Sequence, residues 1–232
     1  EGTPHRSLYR SFASANRGKR SLSVDLKSPE GVAIVQRLAA TADLANQNLR
    51  LGVAERIGIG DEQLRAVNPD LITLHTTAYG DTGPKAYNSG WDPIMQPYCG
   101  HAIRGGGQDN EPLWYMSPIV DYGTGALNAV ALLSALVQRQ RTGHGQTLGT
   151  NLLDVGLWLM SELVQAPDGR FHGVAALDNE RGGAHPAEHL YQARDGWIAV
   201  AARSAAAADR LAGVLGLTLG PRAGWARAEQ DR

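Results

Sequence analysis

The sequence predicts an α/β fold, in which short strands alternate with amphipathic helices. Three features lead to this prediction: apolar residues at helical spacing over 29–41, a β-branched run over 71–77, and a long apolar helix that starts near residue 121. The chain has 232 residues, of which 43% are hydrophobic. This is enough apolar material for one large domain or two small ones.

The first predicted elements are a helix, a strand, a second helix and a second strand. Ser28-Pro29-Glu30 is a typical helix start, because it supplies a hydroxyl cap, a proline at the first helical position and an acid in the first turn. We therefore expect a helix over 29–41 and a short strand over 43–49. Asp61 begins a helix over 61–67, and the β-branched run over 71–77 is the next strand.

The middle of the chain contains the strongest helix signal. A loop over 80–84 and a helix over 92–100 precede it. Asp121 is expected to cap a helix that runs to about residue 137, with arginines in its last turn and Gly143 as its stop. A strand over 145–152 then follows.

The last part of the chain predicts fewer regular elements. A helix is expected over 154–164, followed after Pro167 by a long loop that ends at Gly182-Gly183. Leu190–Gln192 and Trp197–Ala201 are expected to form a β-hairpin, and the final predicted helix covers 204–215. Both ends of the chain are polar, and the first residue is not methionine, which suggests a piece of a longer chain.

Composition argues against several classes of function. The chain has 22 Lys and Arg residues against 23 Asp and Glu residues, so neither nucleic acid nor a membrane surface is an expected partner. The longest apolar stretch, over 126–137, is shorter than the ~20 residues that a membrane span needs. A single cysteine, Cys99, suits a reducing compartment such as the cytoplasm. His185 and His189 have no cysteine to support them, so no metal site is expected.

Three features are candidates for chemistry. Asp121 could be a nucleophile that the helix N-terminus keeps ionised, or an ordinary helix cap, and local reasoning favours the cap. Gly123 and Gly125 leave space beside this carboxylate, and such space invites a ligand. The basic cluster at 16–21 could bind phosphates or be a solvated loop. Gly105-Gly106-Gly107 is best explained as a plain turn, because no strand leads into it in the dinucleotide-binding register.

A series of short motifs runs from about residue 15 to residue 215. No single motif is diagnostic, but their order and spacing are specific in combination. They include Asn16-Arg17-Gly18-Lys19-Arg20-Ser21, Asp25-Leu26-Lys27-Ser28-Pro29-Glu30-Gly31, Asn48-Leu49-Arg50-Leu51-Gly52, Tyr79-Gly80-Asp81-Thr82-Gly83-Pro84, Gly90-Trp91-Asp92, Arg141-Thr142-Gly143-His144-Gly145-Gln146 and Asp195-Gly196-Trp197. In these motifs the chain resembles the class III CoA-transferase family, which includes formyl-CoA transferase, the carnitine CoA-transferases and 2-methylacyl-CoA racemase.

The resemblance implies a Rossmann-like large domain plus a smaller domain. Residues 1–165 would be part of the large nucleotide-binding domain, without its first strand–helix unit, and residues 166–232 would be a linker and the start of the small α+β domain. Family members form interlocked dimers, so the resemblance implies a homodimer. It also implies acyl-CoA and a carboxylic acid as substrates, with no tightly bound cofactor.

The resemblance further implies a catalytic mechanism. Asp121 matches the family's catalytic aspartate, which attacks the thioester and forms an aspartyl anhydride. Backbone N–H groups near Gly123 would stabilise the developing negative charge. Gly182 and Gly183 lie where the family has a glycine-rich loop that closes over the site. The residues expected to bind CoA are Lys19, Arg20, Asn48, Arg50 and Arg56.

Two alternatives to CoA transfer stay open at this stage. Racemases of the family pair the aspartate with a histidine in a Gly-His-Asp context, whereas this sequence has Gly90-Trp91-Asp92. Tryptophan cannot transfer a proton, so a racemase or epimerase would need another base. The second alternative is a non-catalytic CoA-binding half of a larger assembly.

Overall fold

A computed structural model describes residues 10–175, 177, 180 and 182–217. Predictions for the first nine residues and for the chain after residue 217 lie outside the described residues, and so does Arg181 in the predicted glycine-rich loop. The described helices are α1 Arg10–Ala15, α2 Pro29–Ala39, α3 Val53–Arg56, α4 Asp61–Val67, α5 Asp92–Tyr98, α6 His101–Gly106, α7 Ile119–Thr142, α8 Leu152–Leu159 and α9 Ala205–Leu215. The described strands are β1 Leu44–Gln47, β2 Ile72–Thr77, β3 Thr147–Asn151, β4 Val164–Gln165, β5 Phe171–His172, β6 Gly183–His185, β7 Glu188–Ala193 and β8 Gly196–Ala201.

A parallel three-stranded sheet lies at the centre of the first part of the chain, and this confirms the predicted α/β class. Its order is β1-β2-β3, with Leu44 opposite Ile72 and Thr73 opposite Thr147. Leu71, at the entry to the middle strand, and Ile72 and Leu74 within it are all 0% exposed. Such burial on both faces explains why the sequence of this strand is a β-branched and apolar run instead of an alternating one.

Helix α2, which precedes β1, begins where its capping residues predict. The Ser28 hydroxyl accepts a hydrogen bond from the Gly31 N–H at 3.1 Å, and Pro29 is the first helical residue. The helix ends at Ala39. Asn68 holds the turn between α2 and β1 by donating to the Ala39 and Ala42 carbonyls, each at 2.9 Å. A small core of Ala39, Ala54, Ile59, Leu64 and Leu71 lies beneath it.

Two antiparallel sheets follow the parallel one. The predicted hairpin is confirmed as β7 and β8, which pair from Glu188–Ala201 to Ala193–Gly196, and β6 adds to the free side of β7. The long irregular loop expected after Pro167 is wrong in part. It contains β5, which pairs with β4 around a turn at Gly169, whose φ is 85°.

Several helix boundaries differ from the prediction. The turn expected at Gly105-Gly106-Gly107 is wrong, because the first two glycines belong to α6 and the third, with φ of 86°, terminates that helix. The short helices α1 and α3 were not expected, and α8 ends at Leu159 instead of residue 164. The long helix α7 begins at Ile119, two residues before Asp121, so Asp121 is not its cap.

By length and composition, α7 is the one helix among the described residues that could cross a membrane. Its 24 residues exceed the apolar stretch over 126–137 on which the sequence prediction rested. The helix also carries Asp121 in its first turn and packs against β2, β3, α5 and α8. This packing places one side of the helix against the parallel sheet.

Candidate active site

A pocket of about 440 Å³ opens at the carboxyl ends of the parallel strands. Its walls are the turn after β1, the end of β2, the segment around Trp91, the first turns of α7, and Leu152 after β3. Pockets of parallel α/β sheets form at this edge, because the loops that leave the strands diverge there. Asp121 lines this pocket.

The environment of Asp121 raises the pKa of its carboxyl group. Burial is the larger cause, and the negative charge of Asp92 adds to it. The side chain keeps contact with solvent at the pocket wall, but the surrounding protein atoms still remove part of the water that would stabilise its charge. Burial and the Asp92 charge thus act against the stabilisation of ionised Asp121 that the sequence led us to expect from the helix N-terminus.

The N–H groups at the start of α7 donate to another carboxylate instead of Asp121. Oδ2 of Asp92 accepts the Val120 N–H at 2.8 Å and the Asp121 N–H at 3.1 Å. Asp92 comes from the first turn of α5 and is 1% exposed. The capping carboxylate of α7 is thus supplied by another helix, and the donors that were expected to stabilise Asp121 are already occupied.

Gly123 does not supply the predicted oxyanion donor, because its position in α7 leaves no free N–H. It is the fifth residue of α7, and the residue before it, Tyr122, already donates its N–H to the Pro118 carbonyl at 2.9 Å. A Cβ at Gly123 would lie 2.9 Å from Cδ1 of Leu159 and 3.3 Å from Cγ1 of Val155. The absence of a side chain therefore serves the close packing of α8 on α7.

A polar cluster that the sequence analysis did not identify lies beneath the pocket. Asn128 is 8% exposed, donates to Oγ1 of Thr76 at 2.9 Å, and accepts from Oγ1 of Thr150 at 2.7 Å. The two threonine hydroxyls are themselves 3.0 Å apart. This network fixes α7 on the two strands whose ends form the pocket. The sequence signal that could have identified it is an asparagine within the apolar stretch over 126–137.

The five residues expected to bind CoA lie in three different places in the structure. Asn48 and Arg50 line the pocket together with Asp121. Arg56 instead lines a separate hollow beside α2. Lys19 and Arg20 are exposed on the segment after α1, where the Lys19 ammonium donates to Oδ1 of Asn16 at 3.3 Å.

The two glycines of the predicted closing loop lie at the start of the second antiparallel sheet, Gly182 just before β6 and Gly183 as its first residue. Gly183 begins β6, where an added Cβ would come within 2.2 Å of the Glu188 carbonyl oxygen, so a side chain would obstruct the strand pairing. A Cβ at Gly182 would meet the His189 ring. Neither glycine lines the pocket of Asp121.

A charged cluster around His75 braces the loop that follows β2. Its Nδ1 lies 3.2 Å from Oδ2 of Asp61, and its Nε2 lies 2.7 Å from Oδ2 of Asp81. The hydrogen bond to Asp61, followed by that to Asp81, raises the pKa of His75 to about 9 against the effect of burial. The imidazolium therefore links the start of α4 to the 80–84 loop at neutral pH.

The fold and this pocket define an α/β protein with a pocket at the carboxyl edge of a parallel sheet. Residues 3–232 match the family described as CoA-transferase family III. The chain belongs to CoA-transferase family III, and its fold is the one that the sequence resemblance implied.

Individual relatives and solved structures agree with this assignment. The succinate–glutarate CoA-transferase of Agrobacterium fabrum is 34% identical over 210 residues, which are 89% of this chain and 51% of the relative. The mouse succinyl-CoA:glutarate CoA-transferase is 31% identical, over 82% of this chain and 44% of the relative. A crystal structure of a CaiB/BaiF family protein from Brucella suis has a TM-score of 0.73 and 32% identity, over 86% of this chain and 53% of that one. The chain spans about half the length of the curated relatives it matches.

Proposed function

We propose that this protein transfers CoA from an acyl-CoA thioester to a free carboxylic acid, with Asp121 as the nucleophile. The observation that carries the proposal is the composition of the pocket wall. Among the described residues that line it, Asp121 has the one carboxylate and Arg50 the one cationic side chain. A lone carboxylate in a pocket of about 440 Å³ is placed to meet a substrate carbonyl.

The proposed reaction has four covalent steps. A carboxylate oxygen of Asp121 attacks the thioester carbonyl, and the C–S bond breaks to release CoA as a thiolate and leave a mixed anhydride. The thiolate then attacks the Asp121 carbonyl, which gives an aspartyl-CoA thioester and the free acid of the donor. The acceptor carboxylate attacks that thioester and displaces the thiolate again. The thiolate finally attacks the acyl carbonyl of the acceptor, which yields the new acyl-CoA and regenerates Asp121.

The raised pKa of Asp121 fits this role, because a more basic carboxylate is a stronger nucleophile once it is ionised. The cost is that a larger fraction of the group is protonated in mildly acidic solution. We therefore expect the rate of transfer to fall as the pH falls through the pKa of Asp121.

Asn48 and Arg50 are the proposed contacts to CoA or to the acid, since both lie in the pocket wall. Arg50 can pair with a carboxylate or a phosphate through its planar guanidinium group. Lys19, Arg20 and Arg56 remain predictions for the distal end of CoA, and closure by Gly182 and Gly183 remains a prediction of the same kind.

For substrates we propose short dicarboxylic acids and their CoA thioesters. The relatives from Agrobacterium fabrum and mouse are named for succinate or succinyl-CoA and glutarate. The pocket provides one cation, Arg50, that can receive the second carboxylate of such a molecule.

A homodimer and a cytoplasmic location are further proposals. Exposed apolar residues on α7, including Val130 and Leu133, favour the dimer because they offer a surface for a second chain.

Racemisation is the weaker alternative for this pocket. It needs a base on each face of the α-carbon, and the lining of the described pocket contains no histidine and no second carboxylate beside Asp121. Trp91, which replaces the histidine of the racemase motif, lies in the pocket wall and cannot transfer a proton.

Trapping of the acylated enzyme tests the proposal. The protein is incubated with succinyl-CoA and hydroxylamine, digested, and examined by mass spectrometry for a hydroxamate on Asp121. Asp121→Asn should abolish both the hydroxamate and CoA transfer, whereas Asp168→Asn, in the exposed turn between β4 and β5, should change neither. Bound succinyl-CoA without a hydroxamate would support the non-catalytic alternative. Exchange of the α-proton of an acyl-CoA without acyl transfer would support racemisation.

A further inference from the structure

We propose that Asp92 is a positioning residue for Asp121: its buried carboxylate holds the peptide N–H of the nucleophile itself and so fixes where the Asp121 side chain enters the pocket. This inference rests on the proposed role of Asp121 as the nucleophile.

The contact between Asp92 and α7 acts at the backbone of the nucleophile. Oδ2 of Asp92 accepts the N–H of Asp121 at 3.1 Å and the N–H of Val120 at 2.8 Å. Val120 is 0% exposed, so the peptide before Asp121 is also held by packing. With its N–H held and the residues after it in α7, Asp121 retains freedom only in its side-chain torsions. Restricting a nucleophile in this way lowers the entropy lost on reaching the attack geometry.

The other oxygen of Asp92 connects the nucleophile to the segment before α7. Oδ1 of Asp92 accepts from Nε2 of Gln96, one turn further along α5. The same Nε2 donates to the carbonyls of Tyr115 at 2.9 Å and Ser117 at 3.1 Å, and Oε1 of Gln96 accepts the Tyr115 N–H at 2.9 Å. Asp92 and Gln96 are 1% and 0% exposed. Together they fasten the chain from Tyr115 to Asp121 onto α5.

This network requires that both side-chain oxygens of residue 92 accept hydrogen bonds. The contacts of Gln96 with Tyr115 and Ser117 fix its amide orientation, so its Nε2 must face residue 92. An asparagine there could still accept from Val120 and Asp121, but its own NH₂ group would then oppose the Gln96 NH₂ group. Asp92→Asn therefore keeps the size of the side chain and disrupts the network.

The charge of Asp92 affects a measurable property of the nucleophile, the pKa of Asp121. It is the second cause, after burial, that raises the pKa of Asp121. Three other charged or titratable groups are relevant: Arg50 lies in the pocket wall with Asp121, His101 on α6 is within range of the Asp92 charge, and Arg104 on α6 acts on His101. Removing the Asp92 charge leaves these groups in place, so the pH at which Asp121 ionises should move downward.

The test is the pH dependence of acyl exchange between succinyl-CoA and labelled free succinate. We expect Asp92→Asn to slow the exchange by about 10- to 100-fold at neutral pH, because a misplaced nucleophile loses attack geometry. We also expect the acid limb of the pH profile to move to lower pH. A merely structural role would lower the melting temperature and leave the rate of exchange above the acid limb unchanged.

The matched control is Asp43→Asn. Asp43 binds the opposite end of α7 through Arg139, with Oδ1 and the guanidinium nitrogen 2.6 Å apart, and it lies outside the pocket. This variant removes the same charge and a hydrogen bond to the same helix, and its exchange rate and pH profile should match those of the parent protein.

Each outcome decides a separate question. Absence of exchange in the parent protein would overturn the proposed function, and the role of Asp92 with it. Exchange in the parent with an unchanged rate or an unmoved acid limb in Asp92→Asn would overturn the positioning role alone. If Asp92→Asn does not fold, Gln96→Met replaces it. That variant keeps the charge of Asp92, so we expect slower exchange with an unmoved acid limb. An unchanged rate in Gln96→Met would contradict the proposal.

Discussion

The His75 cluster should make the stability of this protein depend on pH in the alkaline range. Hydrogen bonds to Asp61 and Asp81 raise the pKa of His75 from 6.5 to about 9. A group whose pKa is higher in the folded state stabilises that state fully below its unfolded pKa. The contribution is then lost as the pH rises through the folded pKa. Stability should therefore fall between about pH 6.5 and about pH 9.

The size of the effect follows from the same pKa values. A rise from 6.5 to about 9 corresponds to on the order of 3 kcal/mol. The side chain of His75 is 17% exposed but that of Asp81 is 45% exposed, so solvent screens part of the interaction. We expect about 1–2 kcal/mol to be lost. Asp61 acts at the opposite end of the scale, because its pKa is lowered chiefly by His75 and its contribution is lost in acid.

The assay is urea-induced unfolding of the parent protein and of His75→Gln at about pH 6 and about pH 9.5. Glutamine can retain one hydrogen bond but does not titrate. The parent should lose stability between the two pH values, and the variant should lose about 1–2 kcal/mol less over the same range. An equal loss in both proteins would refute the assignment of the effect to His75.

Three further predictions concern packing and reactivity. Asn128→Leu should lower the free energy of unfolding by about 1–3 kcal/mol, because it leaves the Thr76 and Thr150 hydroxyls without their shared partner; chemical denaturation measures this. Gly145→Ala should destabilise the folded protein by about 1–3 kcal/mol or more, since its Cβ would meet the Leu71 carbonyl oxygen. Gly213→Ala in α9 places its Cβ in open space and should stabilise the fold slightly, so the melting temperatures of the two variants should move in opposite directions. Burial raises the pKa of Cys99 to about 11, so a thiol reagent should label it slowly at neutral pH and rapidly in urea; rapid labelling of the folded protein would contradict this.

Elements whose signals are local could be predicted from the sequence. Ser28 and Pro29 determine where α2 begins without help from the rest of the fold. The β-branched run at β2 identified a buried strand, and Arg194-Asp195-Gly196 marked the turn of the β7–β8 hairpin. In each case the physical cause lies within a few residues of the element.

Features that depend on distant partners could not be predicted in this way. Asp121 looks like a cap in the sequence, but the acceptor for the first N–H groups of α7 is Asp92, 29 residues away along the chain. The rise in the pKa of Asp121 could not be predicted for the same reason, because its causes are burial and the charge of Asp92. Arg50 and Arg56 are close in sequence, yet the structure places them in different hollows.

The central claim is that Asp121 forms covalent intermediates, and oxygen exchange tests it most directly. In the proposed mechanism the acceptor leaves one of its carboxylate oxygens on Asp121 in each turnover. Incubation with succinyl-CoA and an acceptor acid labelled with heavy oxygen should therefore increase the mass of the tryptic peptide of residues 105–139, which contains Asp121. The peptide of residues 86–104, which contains Asp92, should remain unlabelled. Product formation with no heavy oxygen on Asp121 would contradict the account.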